Sequence, residues 1–273
     1  MIGTWPGDHR GIVVVDAGPP GKPARQIVAG DVTSECSWAS ISKVAVALCI
    51  VSCVEDGIVM LDDVVASNGA TLFDLLCHAG GISGASTEVA YPPRQRRIYS
   101  NGGYELAATH LERATGMACA TLLNDAVFEP LSMNRTSLEG SPASGVRGPL
   151  IDLARLLNEL VVPTEIDAEI VNLMRRVASP GLAGVLPGFG RFDPCDWGLG
   201  PEVKGSKHPH WTGRSFGART FGHFGQAGGF VVVDPEVALG VATLGDAPFG
   251  PWANEEWPAL LDAIRASSGL AGR

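Results

Sequence analysis

The residues with the clearest capacity for chemistry are Ser40 and Lys43, three positions apart at the head of an apolar run. That run, Val44-Ala45-Val46-Ala47-Leu48-Cys49-Ile50-Val51, carries no charge, so residues 40–55 are expected to form a buried helix. On such a helix Ser40 and Lys43 share a face about one turn apart. The pairing has a use, because a serine hydroxyl attacks poorly until a neighbour accepts its proton. Lysine can be that acceptor only where desolvation or nearby positive charge lowers its pKa. The helix N-terminus adds a backbone N–H and a partial positive charge where an oxyanion would develop. A Ser40 that merely caps a surface helix, with Lys43 reaching to water, fits badly with the apolar residues that follow.

Two further groups fall later in the chain. Tyr99-Ser100-Asn101 immediately precedes a helix expected over 103–115, on a loop. Tyrosine can relay a proton if lysine cations depress its pKa, and Asn101 can hydrogen-bond both a lysine and a substrate carbonyl. Gly222-His223-Phe224-Gly225-Gln226-Ala227-Gly228-Gly229 precedes an apolar strand. Its glycines let a substrate lie close against backbone, His223 can orient or protonate a ligand, and the Gln226 N–H can be a second oxyanion donor. Each group alone also has a plain structural reading: a turn whose Tyr packs inward, and a histidine ahead of a strand.

Competing constellations lack their settings. Gly213-Arg214-Ser215-Phe216-Gly217 has a nucleophile-elbow spacing. That elbow needs a preceding strand, a following helix, and an acid then a histidine downstream, whereas only His223 lies beyond Ser215. His208 and His210 have no evident third metal ligand, and Cys49, Cys53, Cys77 and His78 read more simply as buried residues. Neither a metal nor a cofactor is expected.

The elements that must position these side chains follow a simple order. Residues 11–16 and 25–30 read as a β-hairpin with a long connection over 17–23, and 229–234 and 237–244 as a second, followed by a helix over 257–266. Between them lie helical patterns at 40–55, 71–78, 103–115, 118–128, 149–161 and 165–177. Thr71 with Asp74 forms a capping-box pattern, Gly116 suits a helix stop and Pro149 a first helical position. The Gly- and Pro-rich stretch 179–196 is expected to lead back into the sheet. The implied class is α+β: an antiparallel sheet from both chain ends, flanked by helices, with an inserted mainly helical lobe. A cleft between the lobes is the natural place for a small-molecule site.

Bulk properties narrow the partners. The 273 residues are 45% hydrophobic and 18% charged, with 35 Gly and 19 Pro, the mixture of a loop-rich globular enzyme. A net charge of -9 disfavours nucleic acid and anionic lipid, leaving small molecules. Trp5, Pro6, Gly7 and Asp8 interrupt any basic-then-apolar leader, and the apolar stretch 44–54 is too short to cross a bilayer. With six scattered cysteines, a cytoplasmic protein with reduced thiols is the expectation. The oligomeric state is not legible.

In order, Ser40-x-x-Lys43, Tyr99-x-Asn101 and His223-x-Gly225 resemble the three signatures of the class C β-lactamase, D,D-peptidase and family VIII esterase group. Glu55 to Asp63, Thr71 to Gly81 and Phe128 to Met133 resemble connecting stretches of that group, so the similarity spans about residues 11–245. The resemblance implies a single β-lactamase-like catalytic domain over 1–273, its sheet lobe about 1–39 and 195–273 and its helical lobe about 40–194. It also implies an acyl-enzyme mechanism in which Ser40 attacks a carbonyl while Lys43 and Tyr99 share the proton. Asn101 would hold Lys43 and substrate, and the N–H groups of Ser40 and Gln226 would form the oxyanion hole. His223 stands where β-lactamases usually carry Lys, which shifts the expectation from β-lactams toward esters and amides. A carboxylesterase is the leading reading, with a D,D-peptidase or D-aminopeptidase-like amidase, an acyltransferase or a weak β-lactamase as alternatives. A non-catalytic ligand-binding protein on the same fold is the rival of another class.

Overall fold

The computed structural model describes residues 2–18 and 24–268, so most of the connection expected over 17–23 lies outside the described residues. β1 (Arg10–Asp16) and β2 (Arg25–Gly30) form the expected hairpin, with Val13 opposite Val28. A short β3 (Glu35–Ser37) leads through a 3-10 turn, Ala39–Ile41, into α1 (Ser42–Glu55). Next come α2 (Leu72–Leu76), α3 (Asn101–Thr115) and α4 (Cys119–Leu123), the last continuing as a π turn over Asn124–Phe128. β4 (Ser137–Leu138) and β5 (Val146–Pro149) join β3 in a small sheet of order β3-β5-β4. α5 (Leu150–Val161) and α6 (Ala168–Arg175) follow, then a separate hairpin of β6 (Gly184–Leu186) and β7 (Gly190–Phe192). β8 (Glu202–Val203), β9 (Phe221–Phe224), β10 (Phe230–Asp234) and β11 (Leu239–Gly245) return to the main sheet, and α7 (Pro251–Ser268) ends the described chain.

The main sheet has the order β2-β1-β11-β10-β9-β8, with every pairing antiparallel. Strands from opposite chain ends therefore lie side by side, Val13 facing Ala242. Its central strands are buried on both faces, which explains their unbroken apolar runs. Val13, Val15, Val231, Val233, Ala242 and Leu244 face the helical lobe and α5, while Ile12, Val14, Phe230, Val232 and Val241 pack under α7. α1 is apolar all round because the helical lobe encloses it: eight consecutive residues, Val44 to Val51, are buried.

Several local readings shift. α1 starts at Ser42, because the Ser42 hydroxyl donates to Ala39 O (2.6 Å) and accepts from Val146 N (3.0 Å), holding residues 39–41 in the tighter turn. α3 starts at Asn101, two residues before the apolar pattern shows it, because Ser100 caps it by accepting from Gly103 N (2.8 Å). Pro149 is the cap residue of α5 rather than its first helical position, since it also closes β5. Residues 184–192 form their own hairpin before the chain rejoins the main sheet, and His223 lies within a strand instead of ahead of one. The Thr71–Asp74 capping box and the Gly116 stop, at φ 72°, stand as read.

Candidate active site

Ser40 is set by its neighbours on three sides. Trp38 donates its backbone N–H to Val146 O (2.9 Å) and its indole N–H to Gly148 O (3.2 Å), tying the approach to β5. Ala39 then adopts φ 45°, a left-handed conformation that a residue with a Cβ holds only when its surroundings enforce it. The outcome is a half-exposed Ser40 above a buried Lys43.

Lys43 is completely buried and its ammonium nitrogen has three partners: Asn101 Oδ1 at 2.7 Å, Ala143 O at 2.9 Å and Ser40 Oγ at 3.5 Å. No carboxylate among the described residues pairs with it. Burial brings its pKa down to about 7, with Glu105 opposing weakly from a distance. The partners decide where the lone pair of the neutral amine goes. Asn101 Oδ1 and Ala143 O are acceptors and take its two N–H bonds, so the lone pair is left for the Ser40 hydroxyl.

Tyr99 lies over this pair, with its ring centroid 4.7 Å from Lys43 Nζ, and lines the same cavity as Ser40. Its pKa moves up, opposite to the expected depression by lysine cations, because burial outweighs the Ser40 contact. The phenol is therefore a neutral hydroxyl that can receive a proton only as it passes one on. His78, whose importance the sequence did not reveal, supports it: the ring lies 4.6 Å from Tyr99 and 4.6 Å from Trp197, and Nδ1 accepts the Ser100 N–H at 3.2 Å.

His223 closes the opposite wall. Its Nδ1 donates to Phe224 O at 2.7 Å, which leaves Nε2 as an acceptor, buried and without a protein partner. Burial, aided by the Lys43 charge, lowers its pKa to about 3, so it accepts hydrogen bonds instead of protonating a ligand. Beside it Gly225 crosses so close to the turn that carries Ser40 that an added Cβ would lie 2.5 Å from Trp38 O. The turn after it, held by Gly228 N to Gly225 O (3.0 Å) and Phe249 N to Gln226 O (3.0 Å), carries Gln226 to the cavity mouth. Ser40, Tyr99, His223 and Gln226 thus line one small cavity of 40 Å³, completed by Leu186, Pro187, Trp197, Glu202 and Phe224. Asn101 reaches it only through Lys43.

All seven sequence-derived residues consequently belong to one neighbourhood. A family model matches most of the chain: residues 13–264 match the β-lactamase family. The chain belongs to the β-lactamase family. Among solved structures, a β-lactamase from Mycobacterium bovis is 38% identical to this family member at a TM-score of 0.92, covering 98% of this chain and 97% of that one. The octameric penicillin-binding protein homologue from Pyrococcus abyssi is 19% identical at a TM-score of 0.70, over 97% and 73%. EstCE1, a hydrolase with promiscuous acyltransferase activity, is 16% identical at 0.75, over 93% of each chain. No curated protein sequence matches.

Other chemistry-bearing groups of this β-lactamase-family chain sit elsewhere. Ser215 is exposed and donates to Asp262, with no histidine beside it, so the elbow spacing serves a turn. His210 is held between Thr212 Oγ1 (2.8 Å) and Glu202 Oε1 (3.0 Å). Glu202 also meets Lys207 Nζ (3.1 Å) and the Trp211 indole N–H (2.6 Å), forming a buried charged network behind the cavity. Its members are spread over residues 202–211 with no repeating spacing, and no sequence signal marks it. No helix among the described residues is long and apolar enough to cross a membrane.

Proposed function

We propose that the protein is a carboxylesterase-type serine hydrolase that cleaves small esters, and less readily amides, through an acyl-enzyme. The observation that carries this reading is the buried amine of Lys43, whose two N–H bonds are committed to acceptors and whose lone pair is left for Ser40. Ser40 attacks the carbonyl as its proton moves to Lys43. The oxyanion forms against the N–H groups of Ser40 and Gln226. Tyr99 then passes a proton to the leaving oxygen, and water releases the acid by the reverse relay. A neutral His223 where β-lactamases usually carry Lys offers no positive charge to the carboxylate of a β-lactam, which favours uncharged ester or amide groups at that position.

The reading is tested with a panel of short-chain aryl esters, a β-lactam and a D-Ala-D-Ala peptide, together with a fluorophosphonate probe read by intact mass. Turnover of the esters and a single adduct on the wild-type protein, both lost in Ser40→Ala, are expected. A folded wild-type protein that takes no adduct would support the ligand-binding alternative, and strong peptide turnover without ester turnover would point to an amidase.

A further inference from the structure

The 40 Å³ cavity around Ser40 is too small for more than the reacting group, so the rest of a substrate must lie outside it. A groove of 660 Å³ shares Tyr99 and Pro187 with that cavity. It is formed where residue Arg97 bridges to Gly184 of β6 in parallel fashion, so the chain before Tyr99 and the β6–β7 hairpin make its two sides.

Its charge is one-sided. Arg96, Arg97 and Arg191 line it and no acidic residue does, in a chain whose net charge is -9. Arg96 and Arg191 are exposed and pair with no carboxylate among the described residues; Arg96 rests on the Tyr91 ring, 4.4 Å from its centroid. Arg97 is 3% exposed, and its guanidinium donates only to the carbonyls of Cys77, Ala178 and Ser179. Its Nε has no partner among the described residues. A buried guanidinium without a counter-ion is costly and keeps the groove floor positive. The remaining walls, Ile98, Val185 and Pro187, are apolar.

We infer that this groove is a substrate subsite for a carboxylate, so that the preferred substrate is an ester or amide bearing a second, anionic end joined to the reacting group by an apolar spacer. Arg96 and Arg191 take the carboxylate at the groove rim, Ile98, Val185 and Pro187 contact the spacer, and the carbonyl reaches Ser40 past Tyr99. The inference rests on the hydrolase reading for its chemistry but not for its binding.

The test compares 4-nitrophenyl hexanoate with mono-4-nitrophenyl adipate, which differ by a terminal carboxylate. The wild-type kcat/KM is expected to favour the adipate ester about tenfold, less at high salt, and the ratio to fall near one in the Arg96→Gln/Arg191→Gln double variant. A separate arm measures equilibrium binding of adipic acid monoanilide against hexananilide by calorimetry, where the same preference and the same loss are expected. No preference for the charged compound in either arm, or a preference that the double variant keeps, overturns the subsite. Tight monoanilide binding without ester turnover would leave the subsite standing and remove the hydrolase; ester turnover without charge preference does the reverse.

Discussion

Lys43 is the residue on which the proposed chemistry turns, because a lysine is useful as a base only when its ordinary pKa is displaced. Here burial brings it to about 7, while Tyr99 is moved upward and His223 down to about 3. Only Lys43 therefore changes protonation near neutrality among these three. Since the neutral amine is the working form, kcat/KM for a small ester should rise with pH to a plateau, with a single inflection near 7, and a profile flat from pH 6 to 8 would exclude Lys43 as base. Tyr99→Phe should leave that inflection in place while lowering kcat/KM by about a hundredfold or more, the usual scale of a lost proton relay. The same displacement affects stability. Between pH 7 and 10.5 the unfolded chain holds a proton on this lysine that the folded chain does not, so stability rises with pH across that window; below 7 the desolvation cost is present in full. Lys43→Met should thus abolish activity yet raise the unfolding free energy from urea titration at pH 7, by about 1 to 3 kcal/mol once the lost hydrogen bonds are deducted. A less stable Met variant would mean that the bonds to Asn101 and Ala143 outweigh burial.

At the scale of elements, the proposed catalysis depends on how three ends are held together: the turn before α1, the start of α3 and the end of β9. Ser100 is central to the second, since its hydroxyl accepts from Gly103 N and donates to Ser83 O (2.6 Å) while Asn101, the first helical residue, grips Lys43. Ser100→Ala should cost about 1 to 2 kcal/mol and lower kcat/KM several-fold. Thr71→Ala, which removes the comparable cap of α2, should cost a similar amount in a urea titration and leave kcat/KM unchanged. At the end of β9, Gly225→Ala places a methyl 2.5 Å from Trp38 O and 3.1 Å from the Ala39 Cβ, so the strand and the nucleophile turn must separate. Its expected signature is a kcat loss well beyond any shift in melting temperature. The motif residues at these three ends were legible because the chemistry needs particular side chains at short spacings. The hairpins and long helices were legible from apolar periodicity. What escaped were short pieces fixed by distant partners: β3, β4 and β5, with two to four residues each, and the 3-10 turn set by Val146. The direction of the Tyr99 shift escaped for the same reason, since burial is assigned by residues far along the chain.

Across the whole molecule, the two chain ends meet in one sheet and the helical lobe closes over its face, which buries a cluster of ionisable groups at the junction. His78 and His223 are both held neutral there, pushed down by desolvation and by the nearby Lys43 charge. The sign of the consequence follows directly. Below about pH 6.5 the unfolded chain protonates both histidines more readily than the folded chain does, so the stability they allow is present above 6.5 and lost as pH falls below it, for His223 down to about 3. Glu202, held at about 2 by His210, Lys207 and its hydrogen bonds despite burial, adds a further loss as pH falls from 4.5 toward 2. His223 alone implies a slope of up to about 1.4 kcal/mol per pH unit between pH 6 and 4, and His78 acts in the same direction. Acidification from pH 7 to the isoelectric point near 5.1 reduces the net charge of -9 and eases self-repulsion, so a decline over that span cannot come from net charge. The measurement is the urea midpoint from pH 7 to 4 for the wild-type protein and for His223→Gln, whose side chain can still donate to Phe224 O. The wild-type midpoint should fall steeply and the variant's slope should be smaller. Equal slopes would show that His223 takes up its proton without unfolding, and that the cavity wall beside Ser40 admits water freely.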